Sequence, residues 1–264
     1  MKQSAGISNN IWFGEALSSS TSAINENLLR ATTEHEALFH LIELFKLGDF
    51  TQKRLLIQLM NHTNDEALLN GCIRVFCSIS THEDLRDTNH LLFLGEGNKA
   101  AVDTFASEAV TTLSLEVIPY LMALLEEWDT IRDTSAMIRD SIDFFINFKE
   151  HLGDKATVDE IGEYYIDFME NCDPKKYYYY QKLAFPGDLT KILMERVFIA
   201  ANYGQQLRMG TIPSLLSIWS GEKVPGDYHT VITADNYKDY ISYVKGLANK
   251  KWERGQKYFY GHPL

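Results

Sequence analysis

Leu115-Glu116-Val117-Ile118-Pro119-Tyr120-Leu121-Met122-Ala123-Leu124-Leu125-Glu126-Glu127-Trp128 is the stretch whose reading decides the fold. Apolar side chains recur at Val117, Ile118, Leu121, Leu124, Leu125 and Trp128. That spacing of three to four places them on one side of an α-helix. The stripe is wide, so cover is expected from more than one direction. Glu116, Tyr120, Ala123 and Glu127 are left as a narrow exposed strip. The following segment, 131–148, keeps the period: Ile131, Ile138, Ile142 and Phe145 face inward, and Asp133, Asp140 and Asp143 fall opposite. Two amphipathic helices joined by a short turn bury their stripes against each other.

Toward the N-terminus the same period continues. Thr33-Glu34-His35-Glu36 reads as a capping box, a hydroxyl followed three residues later by a carboxylate. Leu38, Leu41, Ile42 and Phe45 follow at helix spacing, and Gly48 is a plausible stop. Leu55, Leu56, Leu59 and Met60 mark a second helix; Leu68, Leu69, Cys72, Ile73, Phe76 and Ile79 mark a third. The stretch 81–112 shows no such order. An echo links the two regular parts at an offset of 69. Leu55, Leu56 and Leu59 map onto Leu124, Leu125 and Trp128, while Ile73 and Phe76 map onto Ile142 and Phe145. Half that offset approximates one two-helix unit of an α-solenoid. No intermediate copy is legible near 85–112.

Residues 115–145 resemble a HEAT repeat through Ile118-Pro119, Leu121, Leu124-Leu125, Asp129, Ile131-Arg132 and Ala136. Proline is tolerated in a first helical turn, where its missing N–H has no partner to lose. Asp129 and Arg132 stand at the turn, where such pairs tie neighbouring units. A plain antiparallel helix pair satisfies the same pattern. The expected fold is all-α: a HEAT-like α-solenoid or helical-hairpin array over 1–155 and a Tyr-rich helical part over 156–264, packed as one continuous domain.

The C-terminal part has its own character. Helices are expected over 157–171, 188–203, 212–219 and 235–252, with Asp173-Pro174 as a break and Gly221–Asp227 as a loop. Val231-Ile232-Thr233 reads as a short strand without an evident partner. Of 14 tyrosines, 11 lie between 177 and 264, and Tyr177 to Tyr180 run unbroken. They are read as core-filling rings with hydroxyls at the edge.

Composition narrows the class. The chain has 264 residues, 45% hydrophobic and 23% charged, with Gly 16 and Pro 6. These are globular proportions with few chain breakers. Cys72, Cys77 and Cys172 make no disulfide framework and read as reduced thiols. Residues 1–14 carry one lysine and no apolar core of a signal peptide. The longest stretch free of Asp, Glu, Lys and Arg, Met209–Gly221, is too short for a membrane span. A cytoplasmic protein is expected.

Charge is uneven. Net charge is −11, made of −15 over 1–176 and +4 over 177–264. An acidic body repels nucleic-acid phosphate and draws basic partners. Lys175-Lys176 beside the tyrosines, and Lys250-Lys251-Trp252 with Arg254 and Lys257, have the charge and rings of a nucleic-acid binder. Packing of this part against the acidic body explains them more simply, and no nucleic-acid partner is expected.

Reactive constellations are sparse. His35 and His40 are five apart, one too many for two histidines to face one metal from a helix. His82-Glu83-Asp84 with Asp87 and His90 is the densest polar cluster. It also reads as a helix start, with Thr81 as cap and carboxylates at the positive end of the dipole. No Walker A, G-x-S-x-G or G-x-G-x-x-G pattern occurs. No cofactor, metal or catalytic residue is assigned.

Ile11-Trp12-Phe13-Gly14-Glu15 and Arg74-Val75-Phe76-Cys77-Ser78-Ile79-Ser80-Thr81-His82-Glu83-Asp84-Leu85 resemble segments of a bacterial immunity-protein family, the forty-seventh of the polymorphic-toxin classification. The likeness covers roughly 8–90, and the rest matches by length and helical character. It implies a non-enzymatic cytoplasmic protein that binds a cognate toxin domain and blocks it. Toxins that hold phosphates tend to be basic, which suits an acidic inhibitor. The expected contact residues are Glu116, Glu127, Asp133, Asp140 and Asp143, for their place opposite the apolar stripes. Two alternatives stand beside this: a HEAT-like scaffold or adaptor for a basic protein, and a metal-dependent hydrolase using His82, Asp87 and His90. An adjacent toxin gene marks the first reading; stoichiometric zinc or manganese marks the last.

Overall fold

The computed structural model describes residues 20–264. The segment Ile11–Glu15 and the reading of residues 1–14 lie outside them. The chain runs α1 (Thr21–Leu29), α2 (Glu34–Lys46), α3 (Lys53–His62), α4 (Glu66–Ile79), α5 (His82–Arg86), α6 (Lys99–Glu108), α7 (Ile118–Trp128), α8 (Arg132–Ile146), α9 (Phe148–Leu152) and α10 (Val158–Met169). A hairpin of β1 (Tyr178–Tyr179) and β2 (Lys182–Leu183) precedes α11 (Pro186–Tyr203), α12 (Thr211–Ser220) and α13 (Tyr237–Ala248). A second hairpin, β3 (Tyr258–Phe259) and β4 (His262–Pro263), follows. The fold is all-α apart from these ribbons.

Helix starts follow local chemistry. Thr81 accepts from Asp84 N, and the Asp84 carboxylate accepts from Thr81 N at 2.8 Å, a complete capping box. Thr157 and Glu160 repeat it on α10. At α2 the expected box is only half made. Thr33 Oγ1 caps Glu36 N, but the Glu36 carboxylate reaches back to Thr32 N at 2.8 Å. Gly48 follows α2 at φ +78°, in the left-handed region that glycine tolerates.

The stripes read from the sequence become the packing seams. α3 lies on α4, and α7 on α8. The unreadable stretch 81–112 supplies α5, a 3-10 segment over 88–96 and α6. α6 lies against both α4 and α8 and bridges the two echoing parts, burying Ala101, Val102, Phe105 and Ala106. Two expectations at the α7–α8 turn are corrected. Ile131 is the N-cap of α8 rather than an inward residue, and it is 41% exposed. Asp129 pairs with Arg139 at 3.3 Å and accepts from Ser135 Oγ, instead of pairing with Arg132. Core residues from both halves of the chain form one contiguous cluster.

The tyrosine run, to which no helix was assigned, opens a hairpin at Tyr178–Tyr179. Both hairpins turn on two residues with positive φ, Tyr180 and Gln181 in one, Tyr260 and Gly261 in the other. Such a turn matches the twist of the paired strands. The ribbons are copies at an offset of 80. Tyr178 Oη accepts from Asp173 N at 2.8 Å, and Tyr258 Oη from Glu253 N at 2.8 Å. Ala184 N donates to Tyr177 O, and Leu264 N to Lys257 O. Val231 also finds a partner, bridging to Gln206, while Leu207 N donates to Thr230 O.

Each hairpin closes helix ends whose last carbonyls lack intrahelical donors. Gln181 Nε2 donates to Ile146 O at the end of α8. Tyr260 N and Gly261 N donate to Ile218 O and Trp219 O near the end of α12. Lys257, fully buried, donates its amine to Cys77 O and Ser80 O, each at 2.8 Å, at the end of α4. The negative end of the helix dipole suits that nitrogen, while burial pushes its pKa well below the usual lysine range.

Candidate partner-binding surface

The five acids expected to meet a partner do not behave alike. Glu116 lies just before α7 and is half-buried; Arg86 on α5 donates to it from Nη2 at 2.6 Å and from Nε at 3.0 Å. Asp143 on α8 is half-buried and accepts Lys149 N at 2.8 Å, which fixes the start of α9. Asp140 is exposed and ion-paired with Lys149. Glu127 and Asp133 are exposed on α7 and α8, beside Glu126. Glu127, Asp133 and Asp140 therefore face solvent, whereas Glu116 and Asp143 spend their charge on holding elements together.

Further acids that the sequence reading passed over stand on α10 and at its C-terminal cap. Asp159, Glu163, Asp167 and the capping Glu170 are exposed, with Ile166 among them. α10 packs on α7, and Gly162 approaches Met122 there. Neither helix carries a lysine or arginine. The signal was available: the helix periodicity that finds Ile161 inward places these acids outward.

The polar cluster at 82–90 is bound into the fold. His82 Nδ1 lies 2.7 Å from Ser114 Oγ, and its ring stacks on Tyr177 with centroids 4.2 Å apart. Burial, reinforced by the Lys257 and Arg86 charges, lowers the His82 pKa to about 4. Asp84 takes Lys53 at 2.7 Å, and His90 turns Nδ1 to the Asp84 carbonyl at 2.9 Å. His82 and His90 thus answer to different partners. Among the described residues no three His, Cys, Asp or Glu side chains converge as a metal-binding group. Cys72 and Cys77 are buried, and burial pushes the Cys72 thiol up to about 12.

The C-terminal cations are mostly engaged within the chain. Arg254 pairs with Asp188, Lys250 with Glu222 and Lys176 with Glu253. Lys257 is inside. Tyr177 and Tyr178 are buried and offer no platform for stacking a base. Among the described residues no helix is long and apolar enough to cross a membrane.

The geometry describes a helical protein with acidic side chains exposed along α7, α8 and α10. A family model described as Immunity protein 47 matches residues 7–264, and the chain belongs to that family. Membership carries a toxin-neutralising role in general, with a toxin as the partner. No curated protein and no solved structure gives a significant match.

Proposed function

We propose that this protein neutralises its cognate toxin domain by binding and occluding it, without catalysis. Family membership over nearly the whole chain carries the reading. The acidic body supports it: −15 over residues 1–176 favours a basic toxin face, such as that of a nuclease, and speeds the encounter. Glu127, Asp133 and Asp140 form the exposed part of the contact patch, with Glu116 and Asp143 bracing it from behind. The encounter takes place in the cytoplasm of the producing cell.

The test pairs the protein with the toxin domain encoded beside its gene. Reversing Glu127, Asp133 and Asp140 to lysine together is expected to slow association about tenfold at low salt and to flatten its salt dependence. Unchanged association at every salt concentration discards the patch. Absence of any complex with the wild-type chain discards the reading.

A further inference from the structure

α11 meets the rest of the chain on one side. Leu189, Leu193, Val197 and Ala200 are buried there. On the other side Ile192, Ile199 and Tyr203 stand out at 41%, 48% and 74% exposure. At about 100° per residue these three fall within about 40° of one another. Phe198, 56% exposed, lies farther round the same outer side. The remaining described helices present large exposed apolar side chains one at a time, as Leu29 on α1 and Ile166 on α10 do. Single exposed residues are ordinary; several on one helix face mark contact surface.

Between the stripe and Phe198 stands Glu195, exposed and without an ion pair among the described residues. Its helical neighbours three and four positions away are Ile192, Phe198, Ile199 and Lys191, and no ion pair joins it to Lys191. The helix beneath is held in place: Arg196 donates from Nε to Leu207 O at 2.7 Å and from Nη2 to Gln206 O at 2.5 Å. A carboxylate flanked by an aromatic ring and branched aliphatics on a rigid helix is a receptor for an arginine. The guanidinium forks onto the carboxylate, its face meets the ring, and its stem covers the aliphatic side.

We propose that this outer face of α11 anchors the toxin, taking an arginine of its basic surface at Glu195, between Ile199 and Phe198. The inference rests on the toxin-binding reading above. Charge selects the occupant. A second copy sets its own Glu195 against this one, like charge on like, whereas an arginine on a basic protein face meets the unpaired carboxylate with opposite sign. The acids of the body then govern how fast the toxin arrives, and α11 governs how long it stays.

The experiment measures association and dissociation of the full chain with the purified toxin domain encoded beside its gene. Phe198→Asp and Ile199→Asp are expected to raise the dissociation rate by about 30-fold, with the association rate changed by less than about threefold. Glu195→Gln, nearly isosteric, is expected to raise dissociation about tenfold. Leu29→Asp, an exposed leucine on α1, serves as the control and leaves both rates unchanged. Circular dichroism and melting confirm that each variant is folded. Wild-type dissociation rates in the α11 variants overturn the proposal and leave toxin binding intact. A wild-type chain that ignores the toxin overturns both. A wild-type dimer that Ile199→Asp separates, with toxin affinity kept, assigns the face to a second copy and overturns it as well.

Discussion

Single side chains in this molecule hold distant segments, and His82 shows the consequence for pH. Its ring is stacked on Tyr177, bonded to Ser114 and partly buried, and that burial lowers its pKa to about 4. In the unfolded chain the ring titrates near 6.5. Between those values the unfolded state takes up a proton that the folded state refuses. Stability contributed by the neutral ring is therefore present above about pH 6.5 and lost as pH falls toward 4. Allowing for solvent screening at this partly exposed site, the loss amounts to about 1–2 kcal/mol. His82→Phe keeps the stack and removes the titration, so its denaturation midpoints, compared with wild type from pH 7 to 4, should fall less steeply. Parallel curves refute this. None of this was readable from residues 81–90. The capping role of Thr81 was, because a cap is written in adjacent residues. The Tyr177 stack joins residues 95 positions apart, and no local pattern announces it.

At the scale of elements, the long helices were legible because each carries enough turns for its stripe to repeat. α6 was not: ten residues between 3-10 turns give too few repeats. The hairpins escaped for another reason. Their strands are two residues long, too short for alternation to show. Only the copy at offset 80, with its paired tyrosines, carried a signal. α11 marks the limit of periodicity. Apolar residues occupy both its inner and outer sides, so the pattern finds the helix without saying which stripe is covered. The second hairpin also limits its neighbours. A Cβ added at Gly48 falls 2.6 Å from His262 Nδ1, at a φ of +78°. Gly97 has a similar φ of +67° with open space around it. Gly97→Ala should cost about 1 kcal/mol from backbone strain alone. Gly48→Ala should cost about 2–4 kcal/mol, because the imidazole has to be displaced as well. Equal costs in chemical denaturation rule out a tight seat for the hairpin.

Across the whole molecule, the C-terminal ribbon ties the two expected regions together. Lys257 closes α4, Phe259 meets Phe50 edge-on, and the Tyr260 ring covers Lys46, itself in a buried 2.8 Å pair with Glu43. We propose that residues 1–155 and 156–264 melt as one unit on this account. Removing residues 257–264 leaves Ser80 O without its donor, at about 1–3 kcal/mol, and leaves Cys77 O with the Ser80 hydroxyl alone. It also strips cover from the Glu43–Lys46 pair. The shortened chain should lose its single sharp thermal transition, and Cys77 should become reactive toward a thiol reagent that otherwise reaches Cys172 first. Retention of both properties refutes a unifying role for the ribbon.

Protein synthesis proceeds from the amino end, so the ribbon leaves the ribosome after every helix it closes. Until it arrives, the nascent chain carries α4 with the Ser80 carbonyl unpaired and the Glu43–Lys46 pair open to water. Closure of these helix ends therefore comes in one late step rather than accumulating as the helices emerge.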